Sequence, residues 1–277
     1  MKLAIASLAV LAGCAQILGL DDTRFDRRDA AADAPNVCDT PAFECVATTG
    51  RTVCGQLFAA GTGEPYRVAN PMAQVCTTTE GPCGLTVSGQ STATLFAGTT
   101  ADRVMGQVDD CGHFVISDLD ATATNVAISI SGTDVASSAR LLFELSDTTE
   151  TKVAVVVVPT ATQETWATQL AIAQTEIASG YLVSYLTNTG APVPIEEVRV
   201  GGAPVVGPPT RPWAAYFTEA DTLDPALTAT SAKGTALIAS PLTGDFRIGG
   251  FHVGKTCGRD GFQTVSNTLI YIVLEDC

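Results

Sequence analysis

The sequence is poor in aromatic and charged side chains, which make up 6% and 16% of its 277 residues. It contains only two histidines and no two cysteines spaced as CxxC, so the common zinc-binding patterns are missing. Basic residues number 15 against 29 acidic ones, which gives a formal net charge of −14. Such a charge repels the phosphates of nucleic acids, and we therefore expect no nucleic-acid partner.

Long apolar segments are also lacking. The longest after the N-terminal region is residues 153–158, far short of the ~20 residues that cross a bilayer, and it suits a buried strand. The apolar residues 3–12 are likewise too few to span. They follow Lys2 and end in small residues, which is the layout of a secretory signal peptide.

The end of this segment reads Leu11-Ala12-Gly13-Cys14 and resembles the lipobox of bacterial lipoproteins. The resemblance implies cleavage after Gly13 and attachment of lipid, including palmitate, to Cys14, and several acyl chains on one cysteine anchor a protein stably. Ala15 stands where an aspartate would resemble an inner-membrane retention signal, so we expect the outer membrane. The alternative is an ordinary signal peptide with an incidental cysteine.

The cysteine content predicts disulfides in an oxidising compartment. Without Cys14, eight of the nine cysteines remain, an even number. Six lie before residue 112 and allow 15 connectivities, so their pairing stays open. Elimination leaves Cys257 and Cys277 as a pair. The six are Cys38, Cys45, Cys54, Cys76, Cys83 and Cys111.

Thr, Ala, Val and Gly dominate, and short alternating segments separated by turn residues predict a mainly β protein. The candidate strands include residues 93–96, 235–239 and 269–274. The mature chain from Cys14 suits about two domains. We predict a signal peptide (1–13), a disordered, lipidated tether (14–37), a cysteine-rich β-sandwich (38–150), a connector of one strand and a helix (151–180) and a second β-sandwich (181–277). The helix follows from Trp166, Leu170, Ala173 and Ile177, which share one helical face.

The two halves share a short pattern. Thr62-Gly63-Glu64-Pro65 and Thr189-Gly190-Ala191-Pro192 each follow a predicted strand, and a strand later begins after Gly112 and after Gly234. The pattern resembles the carboxypeptidase regulatory-like (transthyretin-like) β-sandwich family. The resemblance implies Ig-like or transthyretin-like sandwiches that act as structural or binding modules, with no catalytic residues.

Three patterns could carry chemistry. Residues 249–256 match the P-loop expression, but the turn-forming residues that follow cannot open the required helix, so we predict a β-turn and no nucleotide. Neither histidine lies in a hydrolase motif, and we expect no enzyme activity and no cofactor. Aromatic residues, Trp213 first among them, could form a sugar-stacking surface if exposed. Four aspartates form a weak calcium candidate, with turn chemistry as the alternative: Asp109, Asp110, Asp118 and Asp120.

The sequence thus favours a lipid-anchored envelope protein that acts as a non-catalytic surface binding or adhesion module for a protein or polysaccharide. A structural subunit of a periplasm-facing envelope complex is the alternative, and a hydrolytic enzyme a remote one. A binding or adhesion module predicts an exposed aromatic or loop patch. A structural subunit predicts an apolar interface or an open sheet edge. An enzyme predicts a cleft that joins His113 or His252 to a serine and a carboxylate.

Overall fold

A computed structural model describes Cys38, Pro41 and residues 43–46, 49–61, 63–68, 85–208, 211–239 and 244–277. The predicted signal peptide and tether, with Cys14, and also Cys76 and Cys83, lie outside these residues. The mainly β class is confirmed by the elements of the chain itself. The strands are β1 (Arg51–Ala59), β2 (Leu85–Ser91), β3 (Val104–Met105), β4 (Gln107–Val108), β5 (His113–Leu119), β6 (Val126–Gly132), β7 (Ser138–Leu142), β8 (Thr149–Val157), β9 (Tyr181–Tyr185), β10 (Glu197–Val200), β11 (Ala203–Pro204), β12 (Trp213–Phe217), β13 (Leu223–Asp224), β14 (Thr235–Ala239), β15 (Phe246–His252), β16 (Lys255–Phe262) and β17 (Leu269–Leu274).

The first eight strands form two facing sheets. One has the order β4-β5-β1-β8 and the other runs β3-β2-β6-β7. Alternate side chains of both sheets, such as Leu57 and Ile116 from one and Val87 and Ile128 from the other, meet in one apolar core. β8, which was predicted to belong to the connector, pairs in parallel with β1 and completes this first sandwich.

The remaining strands repeat this arrangement. The order β12-β14-β9-β17 corresponds to β4-β5-β1-β8, and both end in a parallel pair, β9 with β17 and β1 with β8. The facing sheet β11-β10-β15-β16 corresponds to β3-β2-β6-β7 and is antiparallel throughout, as its counterpart is. The extra strand β13 extends the second sandwich at β12. The described chain therefore contains one eight-strand topology twice.

The residues of the shared sequence pattern have matching positions in the two halves. Leu57 donates its amide hydrogen to the Gly112 carbonyl over 2.8 Å, and Tyr185 does the same to Gly234. Pro65 bridges to the end of β1, and Pro192 bridges to Leu186 just after β9. Both glycines have positive φ, and a Cβ at either would meet backbone atoms of its neighbours.

The two sandwiches are joined edge to edge. β17 pairs in parallel with β7 as well as with β9, so a nine-stranded sheet runs through both sandwiches. Its central strands are covered on both faces, which is why β7, β9, β12 and β14 are buried at every position. The sequence reasoning did not anticipate this shared sheet. The proposed domain limits remain a prediction, and the sheet crosses them.

The connector between the sandwiches is helical, as predicted, but forms two helices, α2 (Thr160–Leu170) and α3 (Gln174–Ala178). Ala171 has φ +52° and ends α2 in a left-handed conformation. Trp166, Leu170 and Ile177 still share one cluster, packed between the outer face of β1 and β8 and that of the second sandwich. None of the helices in the described part of the chain is both long and apolar enough to cross a membrane.

One strand prediction is wrong. Residues 93–96 were expected to form a strand but belong to the short helix α1 (Thr92–Phe96), which precedes α2 and α3 in the chain. The Ser91 hydroxyl accepts a hydrogen bond from the Thr94 amide, an N-cap that outweighs the apolar alternation.

Candidate functional site

A cleft of about 500 Å³ lies where the two sandwiches meet. It is bounded by the C-terminal ends of β7 and β17, the beginning of β8 and the bulged part of β16. Small-molecule sites occur preferentially at such domain junctions. The lining residues are Arg140, Leu141, Leu142, Phe143, Glu144, Leu145, Ser146, Glu150, Val153, Gly258, Arg259, Val273, Leu274, Glu275 and Asp276.

Arg140 is the unusual member of this set. It lies in the middle of β7, between Ile128 of β6 and Tyr271 of β17 in register, and is only 5% exposed. Its guanidinium carbon lies 4.5 Å from the centre of the Tyr271 ring, a cation–π distance. Nε and Nη1 are buried without a hydrogen-bond partner, and no carboxylate of the described residues is ion-paired with this arginine. A positive charge thus lies at the wall of the cleft with no ion-pair partner among the described residues.

The rim of the cleft carries the opposite charge. Glu275 and Asp276 follow β17 and are exposed. Arg259 is ion-paired with Glu144 and lies 4.2 Å from the centre of the Phe143 ring, so these two charges neutralise each other. A disulfide links Cys277, next to Asp276, to Cys257 of β16 and holds this rim in place.

A second buried charge lies outside the cleft, in the second sandwich, and is ion-paired. Lys233, before β14, donates to the Asp221 carboxylate in the turn before β13, and the two side chains are 6% and 1% exposed. Burial raises the pKa of Asp221 above its ordinary value, against the lowering effect of Lys233. The pair has an evident structural role, because each charge is neutralised where it is buried.

The four aspartates of the calcium hypothesis do not come together. Asp109 and Asp110 precede β5 while Asp118 and Asp120 lie near its end, so a strand of about 20 Å separates the pairs. The Asp109 carboxylate accepts hydrogen bonds from the amides of Cys111 and His113 and lies 2.9 Å from His113 Nδ1. Asp120 caps Thr122, which is the turn chemistry considered as the alternative. Asp109, Asp110 and Cys111 do lie close together, but the Cys111 sulfur is in a disulfide and cannot act as a thiolate ligand.

Three disulfides lie in the described residues. Cys257 and Cys277, the pair expected by elimination, are joined with their Cα atoms 4.9 Å apart. Among the six earlier cysteines, the structure joins Cys38 to Cys111 and Cys45 to Cys54. The sequence could not select these two bonds from the 15 possibilities, because the pairing depends on the strand order.

The other candidate patterns have structural roles. Residues 249–256 form the end of β15, a two-residue turn and the start of β16, as the β-turn prediction required. Trp213 is fully buried, and its indole nitrogen donates to Glu176 over 3.3 Å, so it cannot form a sugar platform. Tyr216, Phe217 and Tyr271 are also buried. In the described part of the chain, no serine hydroxyl is hydrogen-bonded to either His113 or His252.

The sequence reasoning missed Arg140. The available signal was a single charged residue among the uncharged and mostly apolar residues of β7, a pattern that indicates a buried charge. Its meaning depends on β17, which comes about 130 residues later in the sequence and converts β7 from an edge strand into a covered one.

No known protein family and no curated protein matches the chain. Solved structures give distant likenesses. An ancillary pilin of Streptococcus shares 12% identity over 81% of this chain and 68% of its own, with a TM-score of 0.24. The shaft pilin SpaA of Lactobacillus rhamnosus GG shares 10% over 82% and 98%, also with 0.24, and the Bacillus anthracis TIE protein shares 10% over 81% and 34%, with 0.20. At these scores the likenesses carry no functional argument, and the carboxypeptidase regulatory-like assignment has no match to support it.

Proposed function

We propose that this chain is a lipid-anchored protein of the bacterial cell envelope, held by Cys14, that acts as a non-catalytic binding module. Its ligand enters the cleft between the two sandwiches. The single observation that carries the binding role is Arg140, a buried charge at the wall of a cleft of about 500 Å³ that has no ion-pair partner in the part of the chain that the structure describes. Burying a charge without a partner is energetically costly, and a bound ligand that carries the opposite charge offsets that cost.

The site favours binding over catalysis. The cleft contains carboxylates and arginines but no histidine, cysteine or lysine among its lining residues, so the usual nucleophile–base pairs are not assembled there. The proposed localisation in the cell envelope rests on residues 11–14 and on the disulfides, which persist in an oxidising compartment.

The structural-subunit alternative receives less support. β16 is the longer of the two edge strands of its sheet among the described residues, but it carries Lys255, Arg259 and Asp260 and a bulge opposite residues 246–248. Charges and bulges at an edge prevent strand-to-strand association.

Binding is tested by closing the cleft. Ser146 is exposed at its rim, and Ser146→Trp fills the entrance without disturbing a buried side chain. We expect the wild-type chain to retain fluorescently labelled envelope peptides or polysaccharide and Ser146→Trp to lose this retention. Equal retention by both proteins would reject the cleft as the binding site.

The anchor and the exposed face are tested in cells. Cys14→Ser should abolish labelling by a clickable palmitate analogue and release the protein from the membrane fraction. Continued labelling would contradict the lipid anchor. Protease shaving of intact cells, with disrupted cells as the control, then decides between surface recognition and a periplasm-facing role.

A further inference from the structure

We propose that the cleft accepts a ligand carrying a carboxylate and a cationic group close together, as in a free basic amino acid or a peptide whose C-terminal residue is basic, with Arg140 receiving the carboxylate. This inference rests on the proposed binding function and adds the chemistry of the ligand.

The carboxylate follows from the state of Arg140. Nε and Nη1 are buried without a hydrogen-bond partner, and Arg140 lines the cleft, so a ligand in the cleft lies beside an unpaired guanidinium. The ring of Tyr271 offers the charge only a partial interaction, because cation–π contacts are weaker than charge-assisted hydrogen bonds to a carboxylate. A ligand carboxylate at the guanidinium of Arg140 would supply the counter-charge that the described residues do not provide.

The cationic group follows from the rim. With Arg259 and Glu144 paired to each other, Glu275 and Asp276 leave the mouth of the cleft negative. A simple dianion would be attracted by Arg140 and repelled by these two carboxylates. A ligand that places an ammonium or guanidinium group beside Glu275 and Asp276 and a carboxylate at Arg140 satisfies both charges.

The size of the cleft agrees with a small ligand. Its volume of about 500 Å³ falls within the ~300–1,000 Å³ that small-molecule sites occupy and has room for one to a few amino-acid residues. Uncharged polysaccharide makes no use of the buried charge, and the acidic rim disfavours nucleic acids and anionic lipids.

The test is isothermal titration calorimetry on the full lipidated chain in detergent micelles. The probes are lysine, the peptide Ala-Ala-Lys with a free C-terminus, the same peptide as its C-terminal amide, and Ala-Ala-Ala with a free C-terminus. We expect lysine or free Ala-Ala-Lys to bind at least ten-fold more tightly than the amide, and Ala-Ala-Ala to bind more weakly than Ala-Ala-Lys. Binding of lysine as tight as that of Ala-Ala-Lys indicates a free amino acid, and selective binding of the peptide indicates a peptide terminus.

Variants assign each effect to its residue. Arg140→Met should remove the preference for the free carboxylate over the amide, and Glu275→Gln combined with Asp276→Asn should remove the preference for lysine over alanine. Arg199→Met is the matched control, because Arg199 also stacks on an aromatic ring, that of Phe251, but lies outside the cleft. This control should leave all affinities unchanged.

The outcomes separate this inference from the function on which it rests. Equal affinity for acid and amide, a preference that survives in Arg140→Met, or no binding of any probe would overturn the ligand class. If the probes fail while Ser146→Trp still abolishes retention of envelope components, the cleft binds a ligand of other chemistry. If Ser146→Trp retains these components as well as the wild type does, the proposed function itself is wrong.

Discussion

The two sandwiches share their strand order, and each carries an arginine opposite an isoleucine in its last antiparallel strand pair. Arg140 of β7 pairs in register with Ile128, and Arg259 of β16 pairs with Ile248. Both guanidinium groups stack on an aromatic ring, at 4.5 Å for Arg140 and 4.2 Å for Arg259. The environments then diverge, because Arg259 is ion-paired with Glu144 on an open edge while Arg140 is buried without a carboxylate.

The difference arises from the joint between the sandwiches. β17 pairs with β7 and covers it, whereas β16 has no further strand beside it among the described residues. One topology, used twice, therefore gives a solvated arginine with a partner and a buried arginine beside a cleft. The cleft that we propose as the binding site lies where the two copies of this topology meet, in keeping with the preference of ligand sites for domain interfaces.

The buried pair of the second sandwich provides the sharpest contrast with Arg140 and the largest expected effect. Lys233→Met should lower the free energy of unfolding by about 3–5 kcal/mol, because it leaves Asp221 buried without its counter-charge. Denaturant unfolding measures the change. The double variant Lys233→Met/Asp221→Asn is the control and should recover much of the loss. A cost below about 1 kcal/mol for the single variant would show that the pair is not a structural element.

The disulfide at the cleft should have the next largest effect. Replacing Cys257 and Cys277 by alanine opens a loop of 20 residues and should cost about 3 kcal/mol on the chain-entropy model. It should also weaken ligand binding, because the rim that carries Glu275 and Asp276 is released. The control is the pair Cys45–Cys54 of the first sandwich, whose loop of 9 residues predicts a smaller loss and no change in affinity. An equal loss of affinity in both variants would contradict the role of the rim.

The equivalence of the two sandwiches is tested by a smaller effect at matching glycines. Gly112→Ala and Gly234→Ala should each lower the free energy of unfolding by about 2–3 kcal/mol, since both combine a positive φ with close backbone neighbours. Gly254→Ala is the control, with φ +78° but open space around it, and should cost about 1 kcal/mol. Chemical denaturation measures the free energy of unfolding of all three variants. A large loss at only one of Gly112 and Gly234 would contradict the structural equivalence of the two positions.

The sequence predicted much of this fold and little of the site. The strands β14 and β17 were predicted with their observed limits, because a short apolar run between turn residues has few alternatives. The sequence pattern shared around Gly112 and Gly234 indicated equivalent positions. Only glycine fits there, because a Cβ would collide with neighbouring backbone atoms. The joint between β7 and β17 was not predictable, because nothing local specifies which distant strand covers an edge. Without that joint, the lone charge in β7 does not show that Arg140 is covered by a neighbouring strand and lies beside a cleft.

The most direct test of this account compares the stability of Arg140→Met with that of Lys233→Met by denaturant unfolding of the same full-length chain. We predict that Arg140→Met keeps the wild-type free energy of unfolding or raises it by about 1 kcal/mol, because it replaces an unpaired buried charge with an apolar side chain of similar length. Its carboxylate-dependent binding should be lost at the same time. A stability loss comparable to that of Lys233→Met, with binding unchanged, would show that Arg140 supports the fold and would contradict its assignment to the ligand.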